Sequence, residues 1–298
     1  MHRETDMRIG FLGIGGMGAA IALRLQAAGH DVHAWNRTPA ALQPLLAAGV
    51  TAAADAAGAA AQPVVFSMLA DDAAVDAVLE QGGALAAMPA GAVHVNMATV
   101  SVDCTQHLAA AHAARGVGYV AAPVFGRPDA AAAGKLHVLA AGASAAVAQV
   151  RPLLEAIGQR VWPFGDDPAR ASAVKLAGNF MLAAAIESMA EASTLAQAYG
   201  VAPADFLGLM SETLFASPAY RGYGTLIAAR RFEPAGFRLR LGFKDVRLAQ
   251  AAADTQAVPM PFASVLRENF LDAIAHGAGE LDWSALSEVS ARRAGQRG

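Results

Sequence analysis

Short apolar runs alternate with longer alanine-rich stretches through the first half of the chain. The apolar runs predict strands at Arg8–Leu12, Asp31–Trp35, Pro63–Met68, Ala92–Asn96, Gly118–Ala122, Leu136–Ala140 and Arg160–Phe164. Stretches of helical composition lie between them at Met17–Ala28, Pro39–Ala48, Asp72–Glu80 and Asp103–Arg115. This alternation indicates a parallel sheet with helices on both faces, which is the doubly wound α/β (Rossmann-type) arrangement.

The pattern changes after Gly165, where strand-like alternation stops. Asp166-Asp167-Pro168 is typical of a helix start, and the stretch from Ala169 to Tyr199 contains no proline. A helix over this stretch would be more than 40 Å long, at about 1.5 Å per residue. Further helices are predicted at Pro203–Glu212, Lys244–Thr255, Met260–His276 and Trp283–Arg293. We therefore predict two domains: an α/β domain over residues 1–165 and an all-α domain over residues 166–298, built on the long helix.

Composition and charge narrow the class of protein. Hydrophobic residues make up 55% of the chain, which excludes global disorder, and the net charge of -3 argues against a nucleic-acid partner. The single cysteine, Cys104, excludes an internal disulfide, and His107 and His112 lack metal-ligand spacing, so we expect surface histidines and no metal.

Three further features concern location and assembly. The longest uncharged run lies between Glu80 and Asp103 and contains proline, glycine and asparagine, so no membrane helix is expected there. Only Met1 to Asp6 precede the first predicted strand, too few for a signal peptide, and a cytoplasmic location is expected. The apolar long helix should be buried, in part against a second subunit, which predicts a homodimer or homotetramer.

A glycine-rich turn follows the first predicted strand and opens the first predicted helix. It reads Gly13-Ile14-Gly15-Gly16-Met17-Gly18, a G-x-G-x-x-G pattern. The first glycine permits the tight turn, the second lets the backbone approach a pyrophosphate, and the third allows close helix–strand packing. Because the helix N-terminus also favours an anion, this turn predicts a dinucleotide site.

The end of the second strand favours one dinucleotide over the other. Enzymes that use NAD usually carry an acidic residue there to bind the ribose 2′-hydroxyl. This chain has Asn36-Arg37-Thr38 instead, and a guanidinium can pair with a 2′-phosphate. We therefore expect NADP(H) as the preferred cofactor, with NAD(H) as the alternative.

The segment Gly10–Gly18 resembles the opening of the β-hydroxyacid dehydrogenases, the family of 3-hydroxyisobutyrate dehydrogenase and 2-hydroxy-3-oxopropionate reductase. The resemblance continues in order along nearly the whole chain. Ser67-Met68-Leu69-Ala70 and Asn96-Met97-Ala98-Thr99 resemble two cofactor turns, the second being Asp-x-Ser-Thr in the family. Val174–Asn179 and Phe243-Lys244-Asp245 resemble the catalytic helix motif and the late Lys-Asp motif. The resemblance implies cofactor contacts at Met68, Leu69, Ala70, Ala74, Thr99 and Lys244.

The chemistry follows from two residues of the long helix. Lys175 and Asn179 are four residues apart and so share one helix face. An apolar surrounding should lower the pKa of Lys175 and make it a usable general acid or base near neutrality. In a carbonyl reduction it would protonate the forming alkoxide, while Asn179 would hold the substrate or orient the lysine. A lysine that extends from a surface helix into solvent is the alternative.

The substrate loop departs from the family. Phe125-Gly126-Arg127 stands where the family has Ser-Gly-Gly, so a hydroxyl that would bind a carboxylate is lost. Arg127 could replace it with a bidentate contact or could face solvent. We therefore expect a small carbonyl or hydroxy substrate other than the small hydroxyacid of the best-known members. Two alternatives stay open: an imine reductase-like enzyme and a non-catalytic dinucleotide-binding protein.

Overall fold

The computed structural model describes residues 7–296. Its strands are β1 (Arg8–Leu12), β2 (Asp31–Trp35), β3 (Thr51–Ala52), β4 (Val64–Ser67), β5 (Val93–Asn96), β6 (Gly118–Ala121), β7 (Val124–Phe125), β8 (Leu136–Gly142) and β9 (Gly158–Pro163). The helices of the same half are α1 (Gly16–Ala27), α2 (Gln43–Leu46), α3 (Ala56–Ala60), α4 (Asp72–Asp76), α5 (Ala84–Ala87), α6 (Val102–Ala113), α7 (Pro128–Ala132) and α8 (Ser144–Ile157). The later helices are α9 (Pro168–Ala198), α10 (Pro203–Glu212), α11 (Pro218–Ala228), α12 (Leu239–Thr255), α13 (Pro261–Ala275) and α14 (Ser287–Arg293).

The sheet runs in the order β3-β2-β1-β4-β5-β6-β8-β7, with β9 paired to β8. Strands β3 to β6 along this order are parallel, as predicted. Strand β8 instead runs antiparallel to β6 and β7. The chain returns from β7 through the short helix α7, and a parallel return would need a longer crossover of about a dozen residues or more.

The strands are buried on both faces, which explains their continuous apolar character. Ile9 and Phe11 of β1 point into a core beneath α1 and α8, and both are fully buried. Leu12 points to the opposite face, into a core that Leu85 of α5 and Leu108 of α6 share. Each face of the sheet therefore has its own apolar layer and its own covering helices.

By contacts the chain divides into two compact units, one ending at Lys175 and one beginning at Leu176. We call them the α/β unit and the helical unit. The division lies inside α9, whereas the sequence predicts a boundary near Gly165, just before that helix. The helical unit has a core of its own, in which Phe270 and Trp283 are among the largest buried side chains.

Helix α9 spans 31 residues, close to the predicted length. Its length and composition would allow it to cross a membrane, and half of its most apolar window is buried inside the structure. The expectation that no leader precedes β1 concerns Met1–Asp6, which lie outside the described residues.

Candidate active site

The sequence-predicted cofactor residues of the α/β unit follow one row of residues across the sheet. Leu12, Trp35, Ser67, Asn96 and Ala121 end five parallel strands and are in register with their neighbours. Hydrogen bonds continue past the row, from the Gly13 N–H to the Trp35 carbonyl at 3.0 Å and from the Met68 N–H to the Leu12 carbonyl at 2.9 Å. Because ligands of open α/β sheets bind outside the carboxyl ends of the strands, this edge is the candidate site.

The three glycines of the turn differ in the space around them. A Cβ on Gly13, whose φ is +97°, would lie 2.5 Å from the Met68 carbonyl oxygen, and one on Gly18 would lie 2.0 Å from the Gly13 carbonyl oxygen. A Cβ on Gly15 would meet nothing within 4 Å. The fold therefore requires glycine at positions 13 and 18. Position 15 is exposed and borders open space at the N-terminus of α1, where N–H groups can receive a phosphate.

Asn36 connects this turn to the end of β2. Its Oδ1 accepts a hydrogen bond from the Ile14 N–H at 2.9 Å, and its Nδ2 donates to the Thr38 carbonyl at 3.0 Å. The side chain therefore fixes the glycine turn, a role that the sequence did not suggest. Arg37 and Thr38 lie just beyond it and are exposed, so their side chains are accessible to a ligand.

Two aspartates hold the turns after β4 and β5 together. Asp71 begins α4 by accepting from the Ala74 N–H at 2.8 Å, and Asp72 accepts from the Ser101 N–H at 2.9 Å. The first turn carries Met68, Leu69 and Ala70, and the second carries the half-buried Thr99. The backbone N–H of Ala74 is thus engaged in capping, so only its methyl group is offered to a cofactor.

Lys175 lies within the α/β unit, at its C-terminal end. It is 9% exposed, and its Nζ lies 4.4 Å from the centre of the Phe125 ring, a cation–π distance. One turn earlier, Ser172 shares a hydrogen bond of 2.8 Å with Thr105 of α6, which docks the start of α9 on the α/β unit. The structure thus places the predicted catalytic lysine against Phe125, a residue at which the chain departs from the family that it resembles.

Asn179 is held by a residue to which the sequence analysis gave no role. It is 3% exposed and donates from Nδ2 to Oδ2 of the buried Asp245 at 2.5 Å. The Nζ of Lys244 lies 3.3 Å from the other oxygen of Asp245. The motif Phe243-Lys244-Asp245 contains the signal, a carboxylate next to the lysine, although only the lysine was predicted to have a role.

The loop Phe125–Arg127 lies beside the glycine turn. Gly126 has a φ of +143°, and a Cβ there would lie 2.6 Å from Leu136, so glycine is required. Arg127 is the residue before α7, and the ring of Pro128 lies 3.8 Å from where a Cβ on Gly16 would be. The start of α7, directly after Arg127, therefore packs beside the glycine turn.

Two family models cover most of the chain. The model described as the NAD binding domain of 6-phosphogluconate dehydrogenase matches residues 8–165. The model described as NAD-binding of NADP-dependent 3-hydroxyisobutyrate dehydrogenase matches residues 169–290.

Whole-length relatives agree with these matches. The chain is 38% identical to the uncharacterized oxidoreductase YfjR of Bacillus subtilis, over 94% of this chain and 98% of the relative. It is 31% identical to 2-(hydroxymethyl)glutarate dehydrogenase of Eubacterium barkeri, over 96% of this chain and 95% of the relative.

Solved structures resemble the chain to two different degrees. 3-Hydroxyisobutyrate dehydrogenase from Salmonella typhimurium has a TM-score of 0.87 and 27% identity, and covers 95% of this chain and 100% of its own. The reductive aminase from Aspergillus terreus in complex with NADPH and ethyl levulinate has a TM-score of 0.63 and 28% identity, covering 95% of this chain and 99% of its own.

Proposed function

Because this chain belongs to the β-hydroxyacid dehydrogenase family of NAD(P)-dependent oxidoreductases, we propose that it is an NADP(H)-preferring reductase of a small aldehyde or keto compound. Lys175 acts as the general acid, and as the general base in the reverse direction. The observation that carries the proposal is the buried ammonium of Lys175 above the Phe125 ring. A lysine extending from a helix into solvent would be neither buried nor stacked in this way.

The glycine turn supplies the fit for the cofactor. The first N–H groups of α1 would receive a pyrophosphate beside Gly15, and Arg37 and Thr38 would select the 2′-phosphate. Met68, Leu69, Ala70, Ala74, Thr99 and Lys244 are the remaining proposed contacts. When bound, the nicotinamide supplies the hydride that reduces the carbonyl carbon.

The proton comes from the protein. Lys175 holds a proton at Nζ and gives it to the substrate oxygen as the carbonyl is reduced. The ring of Phe125 fixes the ammonium group by the cation–π contact and excludes water from one side of it. Asn179, held through Nδ2 by Asp245, holds the substrate or orients the lysine.

The substrate loop indicates a substrate other than the small hydroxyacids of the best-known members. Phe125 removes the family's hydroxyl and adds an aromatic surface, while Arg127 offers a guanidinium beside the glycine turn. Turnover by Arg127→Ala should fall more on anionic than on neutral carbonyl compounds. If turnover fell equally on both classes of substrate, or if NADPH binding weakened instead, Arg127 would be assigned to the cofactor rather than to the substrate.

An NADPH-oxidation screen tests the proposed function. It compares short-chain aldehydes, keto acids and cyclic imines, each with NADPH and with NADH, and we expect turnover of a carbonyl compound with NADPH preferred. A preference for cyclic imines would favour the imine reductase alternative, although Lys175 stands where those enzymes carry a different residue. Cofactor binding without turnover on any class would favour the non-catalytic alternative. We also propose that the protein is a homodimer or homotetramer and is located in the cytoplasm.

A further inference from the structure

A chain of buried polar side chains lies directly behind the cofactor edge of the sheet. Ser67 and Asn96 end β4 and β5, His94 is on β5, His112 is on α6, and Tyr119 is on β6. Ser67, His94 and His112 have no exposed surface, and Asn96 is 2% exposed. The prediction of a surface position for His112 is therefore wrong: its helix face packs against the sheet rather than against solvent.

The side chains form one continuous series of polar contacts. The two imidazoles are stacked, with His94 Nδ1 2.8 Å from His112 Nε2. The Ser67 hydroxyl lies 2.8 Å from His94 Nε2 and 3.1 Å from Asn96 Oδ1. Asn96 Nδ2 donates to the Tyr119 hydroxyl at 3.0 Å, and Asn96 Oδ1 accepts from the Ala98 N–H at 3.1 Å. That last bond ties the set to the turn that carries Thr99.

The direction of each hydrogen bond follows from counting protons. His112 Nδ1 lies 2.6 Å from the Leu108 carbonyl, which can only accept, so Nδ1 carries the hydrogen. Burial lowers the pKa of His112 to about 4 and that of His94 well below its ordinary value, so both are neutral at pH 7. His94 therefore donates from Nδ1 to His112, and its Nε2 accepts from Ser67. The single hydroxyl proton of Ser67 is thus donated to His94, so the 3.1 Å approach of Ser67 Oγ to Asn96 Oδ1 is a polar contact without a proton of its own.

We propose that Ser67, His94, Asn96 and His112 form a neutral positioning network that sets the turns after β4 and β5 against the cofactor. The inference rests on the proposed cofactor contacts of Met68, Leu69, Ala70 and Thr99 in those turns. Both turns begin at a network residue, Ser67 or Asn96, and neither network residue is itself exposed to the cofactor edge.

Asn96 stands where the family resemblance has an aspartate, and neutrality is the reason it fits here. A carboxylate at this position would be buried beside Ser67 and could not donate to Tyr119. The charges that act on His112 come from Arg115 and Glu80, and Cys104 is the neighbour that acts on Tyr119. A buried carboxylate would therefore take up a proton or raise the pKa of an imidazole.

The test measures the Kd for NADPH by fluorescence titration and the melting temperature by calorimetry, on the full chain. Ser67→Ala removes the donor to His94, and Ser287→Ala is the matched control. Ser287 is a buried hydroxyl that donates to the Ser284 carbonyl at 2.8 Å in the helical unit. We expect Ser67→Ala to raise the Kd for NADPH about fivefold, because that factor corresponds to the net free energy of one buried hydrogen bond. The control should leave the Kd unchanged. Equal melting losses with an unchanged Kd in both variants would overturn the proposal.

Ser67→Cys is the second variant and serves if the Ser67→Ala protein does not fold. A thiol is nearly the same size as a hydroxyl and is a weaker hydrogen-bond donor. An intermediate Kd supports the network, and a Kd equal to wild type overturns it. Asn96→Asp should bind NADPH progressively worse than wild type as the pH rises from about 6 to about 9, since the turns keep their geometry only with the extra proton bound. A pH-independent ratio of the two Kd values would contradict the required neutrality. Failure of the wild-type protein to bind NADPH would instead count against the proposed cofactor.

Discussion

Replacing Gly15 and Gly18 by alanine should separate cofactor binding from folding within one turn. The two glycines are three residues apart, yet a Cβ on Gly18 would lie 2.0 Å from the Gly13 carbonyl oxygen, and one on Gly15 would touch nothing. Gly15 also has a φ of −80°, which alanine adopts without strain.

The two substitutions should therefore differ in their effects on stability and on NADPH affinity. For Gly15→Ala, the lower entropy of the unfolded chain and the poorer helix-capping residue nearly cancel, leaving a change in stability within ~1 kcal/mol. For Gly18→Ala, a carbon–oxygen contact of 2.0 Å forces α1 away from the sheet, and overpacking of this kind costs about 1–3 kcal/mol or more. The Gly15 methyl group displaces a phosphate from N–H donors worth ~1.5–3 kcal/mol, so NADPH affinity should fall about 10- to 100-fold.

Differential scanning calorimetry and NADPH fluorescence titration measure both effects on the same samples. Gly15→Ala should melt within about 3 °C of wild type and bind NADPH at least about tenfold more weakly, whereas Gly18→Ala should melt several degrees lower. If Gly15→Ala retained full affinity, the open space beside Gly15 at the start of α1 would not be the phosphate site. If it lost as much stability as Gly18→Ala, the assignment of a binding role rather than a folding role to Gly15 would be wrong.

Three further outcomes are expected. Arg37→Ala should raise the KM for NADPH about tenfold, the value of a charge-assisted contact, and leave the KM for NADH nearly unchanged; an equal rise in both would contradict 2′-phosphate recognition. Phe125→Ser removes a cation–π contact worth ~0.5–2 kcal/mol and restores the family's hydroxyl, so kcat/KM should rise for small hydroxyacids relative to apolar alcohols; an unchanged ratio would refute this. In the helical unit, burial and the neighbouring Glu191 raise the pKa of Glu187 from 4.5 to about 7. Between those values the folded protein binds a proton that the unfolded chain has released, so stability falls as pH rises. Glu187→Gln should abolish this loss of stability, which is at most ~3 kcal/mol. The melting temperature of the variant minus that of wild type should therefore rise between about pH 5 and about pH 8. A difference that stays constant over this range would contradict the raised pKa.

The sequence predicted the strands best where burial on both faces produces a continuous apolar run. The predicted bounds of β1 and β2 agree with the structure, Arg8–Leu12 and Asp31–Trp35. Strands β3 and β7 have two residues each and exist only through pairing with a neighbour, so no local pattern indicates them. Helix α8 was missed, and it contains Pro152 in its interior, a residue that normally ends a helix.

At the candidate site, local motifs were predictable and long-range contacts were not. The glycine turn is visible because three glycines at fixed spacing follow a strand. The bond from Ile14 to Asn36 and the contact of Lys175 with Phe125 join residues far apart in sequence, so only the packing of the sheet and helices determines them. His112 shows the same limit. The local sequence, an alanine-rich helix, predicts an exposed histidine, and only the contact with His94 in the folded protein shows that it is buried.

A single-turnover measurement on Lys175→Ala tests the central claim most directly. The variant is saturated with NADPH, mixed with the best carbonyl substrate of the screen, and followed by the loss of NADPH absorbance, with the Kd for NADPH measured separately. Loss of a general acid predicts a hydride-transfer rate about 10²- to 10⁴-fold lower, with the NADPH Kd within about twofold of wild type. An undiminished rate at full cofactor occupancy would contradict the assignment of Lys175 as the proton donor.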